Sequence, residues 1–185
     1  PRGRAAWAAP CRAGALRAPP VINACSQCAS DEAPASAKAG AARYAGIWMP
    51  ARALQGLLIA VKEEAPITGH KNTLGSLALR NVVADHTAVF VQRILDAGAI
   101  VHARTTTPDF ACAPATWSKL WGVTRNPWIL AFSPGGSSGG SGASPAAGST
   151  TLAPGSVLGR PTEFPASPRG RVVLHPPLGA SPGAE

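Results

Sequence analysis

The stretch SPGGSSGGSGASPAAGST, residues 133–150, crowds serine hydroxyls between glycines. Glycine-rich turns can aim several backbone N–H groups in one direction and so cradle an anion. Serine hydroxyls can act as nucleophiles or proton relays once a base stands beside them. The same composition also makes flexible linkers, so the flanking sequence has to separate a tether from a cradle. Upstream, GLLIAVKEE runs from Leu57 to Val61 without a polar residue and stops at Lys62. A fully buried strand reads this way, and it would deliver an amine at its C-terminal end. Taken alone, Lys62 reads equally as a solvated strand-end lysine. Cys25 and Cys28 form a C-x-x-C, but no second cysteine pair follows, and His70, His86, His102 and His175 are scattered without ligand spacing. These residues read as ordinary thiols and dispersed imidazoles, so neither metal nor cofactor is expected.

The elements that must position such groups follow from the patterning. After the strand ending at Lys62 and a turn-rich ITGHKNTLGS, the segment ADHTAVFVQRILDAGAIVHART places Phe90, Val91, Ile94 and Leu95 on one helical face. Asp85 is expected to cap this helix and Gly98 to end it. Ala99 to Ala103 reads as a second short buried strand. Strand, helix and strand in this order form a βαβ unit with parallel strands, so the fold class is α/β. The segment from Thr105 to Phe132 is expected to hold only a short helix near Trp117, with its tryptophans as packing groups. Residues 1–45 form a basic, Ala/Pro-rich lead, expected to be weakly structured apart from a helix around Ala35 to Tyr44. Residues 46–185 are expected to form the domain proper.

Composition narrows the classes. The 185-residue chain is 45% hydrophobic, enough for one core or part of a larger one. Its formal charge of +8 permits binding to an anionic surface. Arg2, Arg4, Arg12 and Arg17, however, have only Trp7 among them as a stacking group, which argues against nucleic acid. Four scattered cysteines point to a reducing compartment. No apolar run reaches the roughly 18 residues of a membrane span, and the opening lacks a signal-peptide core, so a soluble, cytoplasmic chain is expected. The chain opens on Pro1 and its one methionine is Met49, which reads as a fragment or processed product.

The ordered set PPVINA, GLLIAVKEE, TLGS, DAGAIVHARTTTPDF, LWGVTRNPW and SPGGSSGGSGAS resembles the amidase signature family of carbon-nitrogen hydrolases over about residues 20–183. The resemblance implies the N-terminal part of that fold, a mixed, mostly parallel sheet flanked by helices, with the C-terminal part of the family domain absent. It also implies a Ser-cisSer-Lys triad that hydrolyses amides through an acyl-enzyme. By resemblance Lys62 takes the place of the triad lysine. Ser137 takes the place of the bridging serine, which in the family follows a cis peptide bond. The loop around it is Gly135, Gly136, Ser138, Gly139 and Gly140. On this reading the glycines place a serine and do not tether domains. A lysine can serve as base only when neutral, which burial promotes. Backbone N–H groups beside the nucleophile would stabilise the oxyanion, and the matching loop positions are Leu158, Gly159 and Arg160. The implied partner is a small-molecule or peptide amide; family substrates run from simple, peptide and lipid amides to the amidotransferase subunits that feed ammonia to transfer-RNA-linked substrates. The oligomeric state is left open.

One segment departs from the family. Where the family reads approximately GTDxGGSxRxPA, this chain has GSVLGRPTEFPA, residues 155–166. Gly155, Gly159, Pro165 and Ala166 hold the register, which puts Pro161 at the nucleophile position. Val157 stands in place of the family's Asp, and Glu163 in place of its Arg. A proline has neither a hydroxyl to attack a carbonyl nor an N–H for an oxyanion hole, so acyl transfer at this position is expected to be lost. Ser156 and Ser149 are the nearest other hydroxyls, and neither keeps the family position. Pro145 falls where a helix is expected, at a cost of about 3 kcal/mol in a helix interior. Two readings stand: an amidase whose own activity is impaired, and a non-catalytic relic or binding module on the same scaffold.

Overall fold

The computed structural model describes residues 21–28 and 52–156. Its centre is a three-stranded sheet in the order β1-β3-β2, made of β1 (Cys25–Cys28), β2 (Leu58–Lys62) and β3 (Ile100–Thr105). Strands β2 and β3 are parallel, with Leu58 opposite Ile100 and Lys62 opposite Thr105. Every residue of both is buried, as the unbroken apolar run in GLLIAVK requires of a strand covered on both faces. Beyond β2, the Ala60 N–H donates to the Leu152 carbonyl at 3.0 Å, so the chain after the glycine-rich region returns alongside β2.

Helix α1 (Val89–Asp96) makes the crossover between the parallel strands. It buries Val91 against Ile59, Val61 and Val101, with Ile94 and Leu95 packed at the margin. The expected cap at Asp85 is not used. Asp85 is exposed and pairs with His86 Nδ1 at 2.7 Å, and the chain from there to Ala88 is pinned outside the helix. Thr87 Oγ1 accepts from the Thr68 N–H at 3.1 Å, and the Ala88 N–H donates to the Pro66 carbonyl at 3.0 Å. At the other end Gly98 stops the helix as expected, with φ +96. The Gly98 N–H reaches the Leu95 carbonyl at 2.8 Å and the Ala99 N–H reaches that of Ile94 at 3.2 Å, which satisfies two of the carbonyls a helix end leaves open.

Four further expectations are corrected. Strand β1 lies inside the stretch read as a weakly structured lead. It was not legible there because a four-residue edge strand has no core face of its own, and pairing with Ala103–Thr105 defines it. That pairing also carries β3 to Thr105, past the expected end at Ala103. The short helix expected near Trp117 is instead a hairpin of β4 (Trp117–Ser118) and β5 (Gly122–Val123). Its turn is closed by the Trp121 N–H on Ser118 Oγ at 2.9 Å and by Gly122 at φ +80. Trp117 and Trp128 are 51% and 64% exposed, so packing describes only Trp121 in this stretch. The helix expected at Ala35 to Tyr44 lies outside the described residues.

Helix α2 (Gly139–Ala146) packs Ala143 against Ile22 and Ala24. Pro145 is its penultimate residue, so the missing N–H weakens only the last turn and the helix forms. A Cβ on Gly140 would lie 2.5 Å from the Thr106 nitrogen and 2.6 Å from its carbonyl oxygen. Only glycine lets α2 approach the end of β3 this closely.

Candidate active site

Side chains alternate along β2, so Ile59 and Val61 face the α1 core and Lys62 faces the other way. Lys62 is 2% exposed. Its Nζ donates to Ser137 Oγ at 2.8 Å and to Ser156 Oγ at 2.7 Å, and Glu64 Oε2 lies 2.8 Å from it. Burial pushes the amine below the ordinary lysine value of 10.5, and the nearby Glu64 carboxylate only partly opposes this. A desolvated ammonium is costly, so the site favours a neutral amine more than water does.

Ser137 comes from the turn before α2. Gly135 has φ +81, the Gly136–Ser137 peptide is cis, and Ser138 is the N-cap of α2 with Gly139 and Gly140 as its first residues. A set of threonines grips this turn. Thr116 Oγ1 donates to the Gly135 carbonyl at 2.9 Å and accepts from the Gly139 N–H at 3.0 Å. The hydroxyl of Thr107 lies 3.5 Å from the Ser137 carbonyl. One turn further on, Ser141 Oγ pairs with Thr105 Oγ1 at 2.7 Å and donates to the Pro154 carbonyl at 3.1 Å.

The backbone around Lys62 is clamped from below. Arg104 on β3 is 1% exposed, and its Nη2 donates to the carbonyls of Lys62 at 3.3 Å and Glu63 at 3.2 Å, and to that of Ala65. Burial lowers its pKa to about 10, against the pull of Glu63. Glu63 is fully buried, and burial raises its pKa. Its Oε1 accepts from the Thr73 hydroxyl and from the Thr73 N–H at 3.3 Å. The turn after β2 therefore cannot swing without breaking charge-assisted bonds.

Of the residues singled out in the sequence, Lys62, Ser137, Ser138 and the four loop glycines come together in this one place. Leu158, Gly159, Arg160 and Pro161 lie outside the described residues. Cys25 and Cys28 stand at the two ends of β1, and burial raises the Cys25 thiol to about 12. Among the described residues no group of three or more His, Cys, Asp or Glu side chains could hold a metal. Thr107, Thr116, Glu64 and Arg104 were missed. The RTTTPDF run at the end of a buried strand was the one signal for some of them, because polar residues crowded at a parallel strand's C-terminal end mark the mouth of an α/β site.

The arrangement can move a proton between a buried amine and two serine hydroxyls. Comparison with known proteins gives it a context. Residues 11–184 match the family model described as Amidase. The chain is 40% identical over 127 residues to the A-type chain of the glutamyl-tRNA(Gln) amidotransferase of Methanosarcina acetivorans, a match covering 69% of this chain and 27% of that protein. It is 39% identical over 161 residues to the protein of the same name from Oleidesulfovibrio alaskensis, covering 86% of this chain and 32% of the relative. A bacterial aryl acylamidase structure superposes with a TM-score of 0.75 at 27% identity, over 80% of this chain and 31% of its own. The chain thus spans roughly a quarter to a third of the length of these relatives.

Proposed function

Because this chain belongs to the amidase family, we propose that its site acts on amide carbon-nitrogen bonds through a serine hydroxyl, with Lys62 as the base and Ser137 as the proton bridge. The observation that carries this reading is the buried Lys62 amine 2.8 Å from Ser137 Oγ. A serine hydroxyl is a weak nucleophile at its own pKa and needs an adjacent base. A lysine supplies that base only when neutral, and burial moves Lys62 in that direction. The bridging hydroxyl then returns the proton to the leaving nitrogen, as microscopic reversibility asks of a general acid-base pair.

Turnover is impaired, because position 161 carries Pro where the family carries the attacking serine. The substrates fit the class of small-molecule or peptide amides. The names of the relatives point to amido transfer in one branch and to aryl amides in another. The test is hydrolysis of a chromogenic anilide by the chain, by Pro161→Ser and by Lys62→Ala in each background. Pro161→Ser is expected to raise the rate, and Lys62→Ala to lower it by about 100-fold or more. Hydrolysis that persists unchanged without Lys62 would refute the assignment.

A further inference from the structure

We infer that Ser156 is the hydroxyl this chain can acylate, in place of the serine missing at position 161. The inference rests on the reading of Lys62 as a base. The Lys62 nitrogen has three positions open to partners, and three groups fill them: Ser137 Oγ at 2.8 Å, Ser156 Oγ at 2.7 Å and Glu64 Oε2 at 2.8 Å. As an ammonium the amine donates to all three. When neutral it keeps two N–H donors and one lone pair. The Glu64 carboxylate can only accept, so it takes one N–H. The remaining N–H and the lone pair fall to the two serines, and one of the two hydroxyls must donate to the amine. Neutral Lys62 therefore always has a serine proton on its lone pair, which is the starting state for attack.

Exposure and anchoring choose between the two serines. Ser137 is only 9% exposed and is enclosed by the threonine-lined turn, whereas Ser156 is half-buried. Ser156 is also held in place. Its carbonyl lies 3.5 Å from Ser138 Oγ, and two residues earlier the Pro154 carbonyl accepts from Ser141 Oγ at 3.1 Å. With Ser137 accepting from Nζ and Ser156 donating to it, the reaction balances. Ser156 Oγ bonds to the acyl carbon as its proton passes to Nζ, and the carbon-nitrogen bond breaks as the departing nitrogen takes the proton back through Ser137. A water then cleaves the ester and restores Ser156. The ligands are acyl compounds, amides and activated esters, that reach a half-buried hydroxyl.

The test uses the full chain and a fluorophosphonate probe, in which the serine oxygen bonds to phosphorus as fluoride leaves. The adduct is sited by tandem mass spectrometry at neutral and alkaline pH. We expect one phosphonyl group per chain, on Ser156, forming faster as pH rises, and slowed by about 100-fold or more in Lys62→Ala. Ser156→Ala is expected to lose the adduct, and siting in the unaltered chain does not depend on that variant folding. An adduct on Ser137 that disappears in Lys62→Ala would overturn the role of Ser156 and leave Lys62 as the base. No adduct at any pH, or one indifferent to Lys62, would overturn both.

Discussion

Replacing Gly140 by Ala pits two effects of known sign against each other. In an open helix the change gains roughly 0.8 to 1 kcal/mol from backbone entropy and propensity. Here the new Cβ would stand 2.5 Å from the Thr106 nitrogen and 2.6 Å from its oxygen, where a relaxed contact needs about 3.5 Å. The obstacle is backbone and cannot rotate aside, so the first turn of α2 has to back away from β3 by about 0.5 to 1 Å. That movement stretches the Ser141–Thr105 bond of 2.7 Å and the Gly139–Thr116 bond of 3.0 Å. Overpacking of this kind costs about 1 to 3 kcal/mol, here toward the upper end, leaving a net loss of about 2 kcal/mol. The thermal midpoint should fall by about 4 to 8 °C, for a domain of this size. Denaturant unfolding followed by tryptophan fluorescence measures the free-energy loss. A Gly140→Ala protein more stable than the parent by about 1 kcal/mol would mean that α2 does not press on β3, and the close approach would be refuted.

Two further outcomes follow from buried charges. Arg104→Met leaves the carbonyls of Lys62, Glu63 and Ala65 without the Nη2 donor and Glu63 without its cation. A loss of about 3 kcal/mol is expected in denaturant unfolding, with Arg104→Lys recovering only part because an ammonium lacks the guanidinium fork; full recovery would contradict the clamp. Burial lowers the pKa of His102 below 6.5, so the unfolded chain takes up a proton that the folded chain resists. The stability His102 contributes is present above 6.5 and is lost as pH falls toward its folded pKa. His102→Leu should flatten the decline in stability between about pH 7 and pH 5. Glu63, whose pKa is raised, acts in the opposite direction in both proteins and cancels from the comparison; an unchanged slope would contradict the assignment.

The parallel core was legible because its signals are local. An unbroken apolar run, a 3.6-residue period and a glycine at the helix end each act within a few residues, and β2, α1 and Gly98 carry them. Strand β1 was not, since Cys25–Cys28 becomes a strand only by lying against β3. The start of α1 moved from Asp85 because Thr68 and Pro66, distant in sequence, hold Thr87 and Ala88 outside the helix. In the site, Lys62 and Ser137 could be paired from the sequence only through the family resemblance, because no period links positions 75 residues apart. Thr116 and Arg104 escaped notice for the same reason. Their partners are backbone carbonyls and N–H groups, which leave no mark on the sequence.

The proposed chemistry depends most on Lys62 being a lysine that can shed its proton beside Ser137. It is one of four lysines in the chain, so the 13Cε resonance of Lys62 can be assigned by its loss in Lys62→Ala and followed as pH is raised. A buried Lys62 should show a titration midpoint below 10.5, with fluorophosphonate labelling that rises through that same midpoint. A midpoint at or above 10.5 would leave the amine an ammonium, a donor to its serines and no base for either of them.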